Sequence, residues 1–312
     1  MISKEEFTKL HSQIATYIKR TPVMRSRLLN GLAETEVYFK CENFQRMGAF
    51  KMRGATAAIL ALSAEERAKG VVTHSSGNFA QAVSLSAKSL GIPAYIVMPS
   101  SAPIVKKDAV KTYGGQITEC EPNIKAREAA AAKIQKETGA TFLHPSNDVN
   151  VIYGQGTAAK EFIEDFPELD VIITPVGGGG LLAGTALAVD FYAEKCKTIG
   201  AEPFEVDDAY RSLESGKIEF NKTINTIADG LKTHLGDKNF PIIQNKVSEI
   251  IRVEEGEIIT AMKLIWERMK IVVEPSAAVA FAAVLREKEK FHGKRVGIII
   301  SGGNVDLSNL PF

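Results

Sequence analysis

The chain has 312 residues, 45% of them apolar, with 38 Lys and Arg against 37 Asp and Glu and a net charge of +1. That length can bury a large core in more than one lobe. The balanced charge offers no basic excess for nucleic acid and no acidic tail for a charged partner. No apolar run reaches the length of a membrane span. The charged stretch 1–20 is helical in pattern and lacks a signal-peptide core. Cys41, Cys120 and Cys196 are scattered and in no CxxC pattern, so they read as reduced thiols and the expected compartment is the cytoplasm.

Strand-like and helix-like segments then alternate. A strand is predicted at Glu36–Lys40, helices at Arg53–Leu62 and Ala64–Lys69, and a short strand at Gly70–His74 running into a Ser/Gly turn. Asn78–Leu90 follows as a helix closed by Gly91, then a buried strand at Ala94–Pro99, a helix at Ile104–Tyr113 and a strand at Gly115–Cys120. An Ala-rich helix at Ile124–Thr138 precedes a strand at Thr141–His144. Further on come a buried strand at Val171–Val176, a helix at Leu181–Ala193 and a buried strand at Ile298–Ile300. Such alternation indicates βαβ units and parallel sheets covered by helices on both faces. Two sheets are expected, in a small domain of residues 51–147 and a large domain of residues 1–50 and 148–312. A chain that crosses between lobes creates a cleft, where cofactor sites are favoured.

Four segments carry chemistry. In Gly48-Ala49-Phe50-Lys51-Met52-Arg53-Gly54-Ala55 a lysine follows an aromatic among small residues, as an enzyme needs to bind an aldehyde cofactor as a Schiff base. An amine is nucleophilic only when unprotonated, so such a site must lower its pKa. A lone Phe-Lys pair is more often a solvated surface lysine. Gly177–Gly180 with Leu181 follows an apolar strand and opens an apolar helix, so its N–H groups and the helix dipole suit a phosphate. Without that context it would equally be a flexible turn, and no Gly-Lys-Ser/Thr follows to make it a P-loop. The turn Ser75-Ser76-Gly77-Asn78 could hold a carboxylate or simply cap the next helix. Ser301-Gly302-Gly303-Asn304 ends a buried strand, where a hydroxyl could face a cofactor ring or the turn could be plain.

Together KCENFQRMGAFKMRGA (40–55), VVTHSSGNFAQA (71–82), GQGT (154–157), PVGGGGLLAG (175–184), AEPFEVDD (201–208), TIADG (226–230), ERMKIVVEPSAA (267–278) and SGGNVDL (301–307) resemble the fold-type-II, tryptophan synthase beta-like family of pyridoxal phosphate (PLP) enzymes. The resemblance lies in the serine racemase / threonine (serine) dehydratase / threo-3-hydroxyaspartate ammonia-lyase branch and covers essentially the whole chain. It implies a two-lobed α/β fold with an interdomain active site, PLP as cofactor and a homodimer. Lys51 matches the Schiff-base lysine and α-proton base, Phe50 a residue packed on the pyridine ring, and Asn78 the partner of the phenolic oxygen. Gly177, Gly178, Gly179, Gly180 and Leu181 match the phosphate cradle, Ser301 the partner of the ring nitrogen, and Gly230 and Glu274 residues at the ring edge. Ser75, Ser76 and Asn78 match contacts to the substrate carboxylate.

The implied reaction is α,β-elimination from serine, threonine or threo-3-hydroxyaspartate, giving a 2-oxo acid and ammonia. Serine racemisation is the alternative, since racemases of this branch have a serine at position 76 as a second acid–base group. β-Replacement, as in cysteine synthase, and a PLP carrier without turnover are more distant readings. The resemblance also implies a divalent cation, Mg²⁺ or else Ca²⁺ or Mn²⁺, on Glu202, Asp208 and the Val206 carbonyl, where the residues alone read as a solvated acidic loop. Two departures stand out: Phe79 replaces a family histidine, and Met47 replaces a threonine of the animal racemase's nucleotide region. Tyr113, Lys270 and Asn304 match that region, which leaves ATP activation open. His74 is expected to pack or hydrogen-bond structurally.

Overall fold

A computed structural model describes residues 2–312. Contacts divide the chain into a smaller unit, formed by residues up to Lys19 and Lys51–Gly154, and a larger unit, Arg20–Phe50 with Gln155–Phe312. This differs from the expected division, which kept residues 1–50 together. The helix Lys4–Ile14 buries Phe7 and Ile14 and lies against the helix Lys51–Ala61, so it groups with the smaller unit.

The described residues form strands β1 (Val23–Met24), β2 (Glu36–Cys41), β3 (Val71–Thr73), β4 (Ala94–Pro99), β5 (Gln116–Cys120), β6 (Thr141–Phe142), β7 (Val171–Pro175), β8 (Lys197–Pro203), β9 (Glu249–Val253) and β10 (Arg295–Ile300). In the smaller unit the order is β5-β4-β3-β6 and every pairing is parallel. In the larger unit the order is β1-β2-β10-β7-β8-β9, with only the β1 pairing antiparallel. Parallel neighbours need crossover connections, and helices supply them.

Local sequence explains the connections. Ser63 accepts from the Glu66 N–H while Glu66 accepts from the Ser63 N–H, a capping box that starts the helix Ala64–Lys69. Gly91 and Gly139 take left-handed φ values of 70° and 74° and close the helices Asn78–Leu90 and Ile124–Thr138. The strands β7 and β10 are near-continuous apolar runs because helices cover both faces of the larger sheet. The alanine-rich helix Pro275–Arg286, buried from Ser276 to Val284, packs against β7, β8, β9 and β10.

Two of the shifted boundaries bear on the site. Helix begins at Lys51 rather than Arg53, so Lys51 is its first residue. The strand β6 stops at Phe142 instead of reaching His144. Leu143 still donates to the Val72 carbonyl and accepts from the Thr73 hydroxyl, but the ring of His144 then receives the N–H groups of Ser146 and Asn147, which turns the chain.

The larger unit also buries a charge pair. Lys40 on β2 and Glu161 lie 2.8 Å apart, both essentially inaccessible, and Lys40 also donates to the Thr21 carbonyl. Removing one partner of such a pair strands a charge in a dry interior. Glu161→Ala is therefore expected to destabilise the protein by about 3–5 kcal/mol, read as a lower midpoint of denaturant unfolding.

Candidate active site

In the smaller unit, partly buried Lys51 opens its helix, and its Nζ donates to the Pro145 carbonyl at 2.7 Å. The same Nζ lies 5.6 Å from the centre of the Phe79 ring. Pro145 belongs to the loop after β6, and β6 pairs with β3, whose end leads into Ser75–Asn78. The helix Asn78–Leu90 starts from Gly77 without a side-chain cap. Ser75 and Ser76 are thus not spent on capping that helix; the Ser75 hydroxyl accepts from the Gly77 N–H at 3.4 Å, within its own turn. His74 rests against Phe142 with ring centres 5.1 Å apart, and its burial pushes its pKa below the usual histidine value, which favours the neutral ring.

In the larger unit, the glycines after β7 meet a wall of main chain and apolar side chains. A Cβ on Gly177 would sit 2.9 Å from both the Gly230 carbonyl oxygen and the Leu231 Cα. A Cβ on Gly179 would come within 2.6 Å of Leu235, and the φ of +80° there already disfavours any side chain. Asn239 Nδ2 donates to the Gly178 carbonyl at 2.8 Å. Carbonyl and amide of one peptide point in opposite directions, so the Gly179 N–H faces away from Asn239. The helix Gly180–Tyr192 follows directly and has no side-chain cap.

These glycines connect to the other expected residues of this unit. Gly230 donates to Ser276 Oγ at 3.0 Å, two residues from Glu274. Glu274 donates its N–H to the Gly302 carbonyl, and a Cβ on Gly302 would lie 2.6 Å from the Glu274 carboxylate. Buried Ser301 accepts the Phe50 N–H at 3.0 Å through its carbonyl, beside a bridge between Ala49 and Gly302. Phe50, Gly177–Leu181, Gly230, Glu274 and Ser301 are therefore linked through neighbouring contacts. Lys51, Ser75, Ser76 and Asn78 form the set of the smaller unit.

A model of the family described as pyridoxal-phosphate dependent enzyme matches residues 14–302. The chain belongs to the pyridoxal-phosphate-dependent enzyme family. It is 50% identical to the beta-hydroxyaspartate dehydratase of Paracoccus denitrificans (strain Pd 1222), over 99% of this chain and 98% of that one. It is 48% identical to the serine racemase of Dictyostelium discoideum, over 99% of this chain and 97% of that one. The crystal structure of that Dictyostelium racemase superposes with a TM-score of 0.94, covering 98% of this chain and 99% of the other.

The residues present suit the family's cofactor. A phosphate needs N–H donors and a positive helix end, and the side-chain-free turn ahead of the helix Gly180–Tyr192 offers both. An aldehyde needs an amine, and Lys51 holds one on a carbonyl acceptor. Asn239, Ser276 and Pro145 support the two sets and were not expected from sequence. No motif marks them, although Ser276 stands inside the segment ERMKIVVEPSAA.

A third cluster lies where β8 ends. Glu202 and Asp208 are fully buried. Glu202 accepts the N–H groups of Ala209 and Tyr210 at 3.1 and 2.9 Å. Asp208 Oδ1 accepts from Asn221 at 2.6 Å, while its Oδ2 is buried with no partner. Asp207 is already neutralised by Arg211 and Arg252, at 2.7 and 2.9 Å. Burial pushes the Glu202 carboxyl well above the usual range, and nearby Asp208 adds to the effect. Burial also raises Asp208 to about 7, against the lowering pull of Asn221. Two buried carboxylates with one unpartnered oxygen form an all-oxygen donor set suited to a hard divalent cation. No group of three or more His, Cys, Asp or Glu side chains arranged for a metal occurs among the described residues, so main-chain oxygen and water would complete the shell.

Gly179→Ala combines a left-handed backbone with a steric clash. It is expected to lower stability by about 1–3 kcal/mol with or without cofactor, measured by denaturant unfolding of both forms.

Proposed function

We propose that the chain is a PLP-dependent ammonia-lyase acting on small β-hydroxy amino acids: serine, threonine or threo-3-hydroxyaspartate. The observation that carries this reading is the seat of Lys51, an amine held on a carbonyl in the same unit as the polar turn Ser75–Asn78. The second reading, serine racemisation at the same site, is favoured by the hydroxyl of Ser76 and by the similarity to the Dictyostelium racemase.

Bound PLP supplies an electron sink for charge developing at the substrate α-carbon. The chain's own residues do the rest. Lys51 would supply the amine that anchors the aldehyde, and the same amine would take the α-proton. Gly177–Leu181 would hold the phosphate with main-chain N–H groups. Phe50 would pack on the ring, Asn78 would donate to its phenolic oxygen, and Gly230 and Glu274 would border its edge. Ser301 would face the ring nitrogen, and a hydroxyl there would not favour a protonated pyridine as a carboxylate would. Ser75, Ser76 and Asn78 hold the substrate carboxylate. Loss of the α-proton and the β-hydroxyl, followed by hydrolysis, releases a 2-oxo acid and ammonia. In the racemase reading Ser76 returns a proton to the α-carbon. Phe79 stands where the family has histidine, so it brings an apolar ring near the Lys51 amine instead of a further polar group. We assign a divalent cation, Mg²⁺ first, to Glu202, Asp208 and the Val206 carbonyl, and a homodimer as the working assembly.

The deciding experiment incubates purified protein with L-serine, L-threonine and L-threo-3-hydroxyaspartate and records 2-oxo acid and D-isomer together. Oxo acid with little D-isomer identifies the lyase; predominant D-isomer moves the assignment to the racemase. Neither product from any of the three would overturn both readings. Lys51→Ala is expected to remove the cofactor's visible absorbance band and to lower turnover by about 10³-fold or more; retained turnover refutes Lys51 as the amine. Ser76→Ala is expected to suppress D-isomer formation at least about tenfold more than elimination. Equal losses would make Ser76 a binding residue only. Chelation is expected to lower the melting temperature and Asp208→Asn to abolish that response, because a cation bound only by the folded state stabilises it. An unchanged melting curve with chelator would leave the acidic loop without a metal.

A further inference from the structure

The loop His144-Pro145-Ser146-Asn147 is held in an unusual way, and it is the loop that receives Lys51. Upstream it is anchored to β3: Leu143 donates to the Val72 carbonyl and accepts from the Thr73 hydroxyl at 2.9 Å each. Downstream the chain would be free to leave the sheet at once, yet it folds back on itself. Nδ1 of His144 accepts two main-chain N–H groups, from Ser146 at 3.2 Å and from Asn147 at 2.9 Å. Pro145 lies inside that turn, so the direction of its carbonyl is set by the closure on either side. Proline also fixes φ, which removes one remaining degree of freedom. The carbonyl meets the Lys51 amine at 2.7 Å.

We propose that His144 is a positioning residue for Lys51: its ring closes the turn that aims the Pro145 carbonyl at the lysine amine. A ring nitrogen that accepts two N–H groups carries no proton, so the proton of the neutral ring sits on Nε2. Nδ1 of the side chain thus works as an acceptor. The neighbouring rings support this seat. Phe142 and His74 each approach His144 edge-on, with centres 6.4 and 6.3 Å away. The consequence for catalysis rests on the reading of Lys51 given above; the contact itself does not.

The test uses the full chain and a readout that needs no turnover. In protein stripped of PLP, which leaves the Lys51 amine free, acetylation by acetic anhydride at fixed pH is followed by peptide mass spectrometry in the wild type, His144→Phe and His144→Asn. The carbonyl favours the charged amine, so its loss is expected to speed labelling at least about threefold in His144→Phe. The asparagine side chain can accept the N–H two residues on, and His144→Asn is expected to return labelling most of the way to wild type. With cofactor bound, kcat of His144→Phe is expected to fall about tenfold or more while KM changes little. Labelling and kcat within about 1.5-fold of wild type, which is no measurable shift in the amine's environment, would overturn the proposal. Should His144→Phe fail to fold, His144→Leu removes the same acceptor and is read by the same criteria. A wild-type protein that forms no visible band with PLP would sink the functional reading, and Lys51 labelling would still decide the role of His144.

Discussion

Parallel pairing makes the strands of a sheet run the same way, so their carboxyl ends share an edge, and in each unit that edge carries the candidate chemistry. In the smaller unit β3 and β6 are direct parallel neighbours, so the turn Ser75–Asn78 and the loop His144–Asn147 leave the sheet side by side. In the larger unit β10, β7 and β8 are successive parallel neighbours. The turn 301–304, the glycines 177–180 and the acidic loop 204–208 follow their carboxyl ends in the same order. Ligand sites at the carboxyl ends of parallel strands are the general rule for such sheets. Here the rule operates separately within each unit.

The glycine turn shows how little side chain such a site needs. Gly177 has no room for a Cβ because the main chain of Gly230 and Leu231 fills that space, and Gly179 has none because Leu235, Asn239 and Ile243 do. Asn239 fixes the Gly178 peptide from behind, and a helix start without a side-chain cap follows. Binding a phosphate on rigid N–H groups avoids the entropy cost of ordering long charged side chains. The same packing that excludes a Cβ therefore orients the donors.

Buried charge is handled in two opposite ways. Lys40 and Glu161 neutralise each other at 2.8 Å, and Lys40 also donates to the Thr21 carbonyl. Burial holds both Glu202 and Asp208 toward the protonated form, Asp208 adds to the effect on Glu202, and one Asp208 oxygen has no partner. Arg211 and Arg252 stand nearby but are engaged by Asp207. A divalent cation at the two carboxylates, as proposed above, would offset both the repulsion and the desolvation.

Much of this was legible in one dimension. The apolar runs of β7 and β10, the alternation of strand and helix, and the glycine turns at 177–180 and 301–304 reflect local periodicity and local backbone freedom, which the residues themselves specify. The motif set also led to the family that the comparisons establish. The placement of the helix Lys4–Ile14 with the smaller unit was not legible, because an amphipathic helix declares an apolar face but not its partner. Nor were Asn239, Ser276, Pro145 and His144, whose roles depend on contacts distant in sequence. Lys51 and the carbonyl that holds it are 94 positions apart. Their meeting depends on the register of β3 against β6 and on the turn closed by His144. The sequence by itself determined the elements, the turns and the family chemistry, whereas tertiary structure alone decided which acceptor meets which amine, because a single hydrogen bond depends on positions that only the completed packing sets.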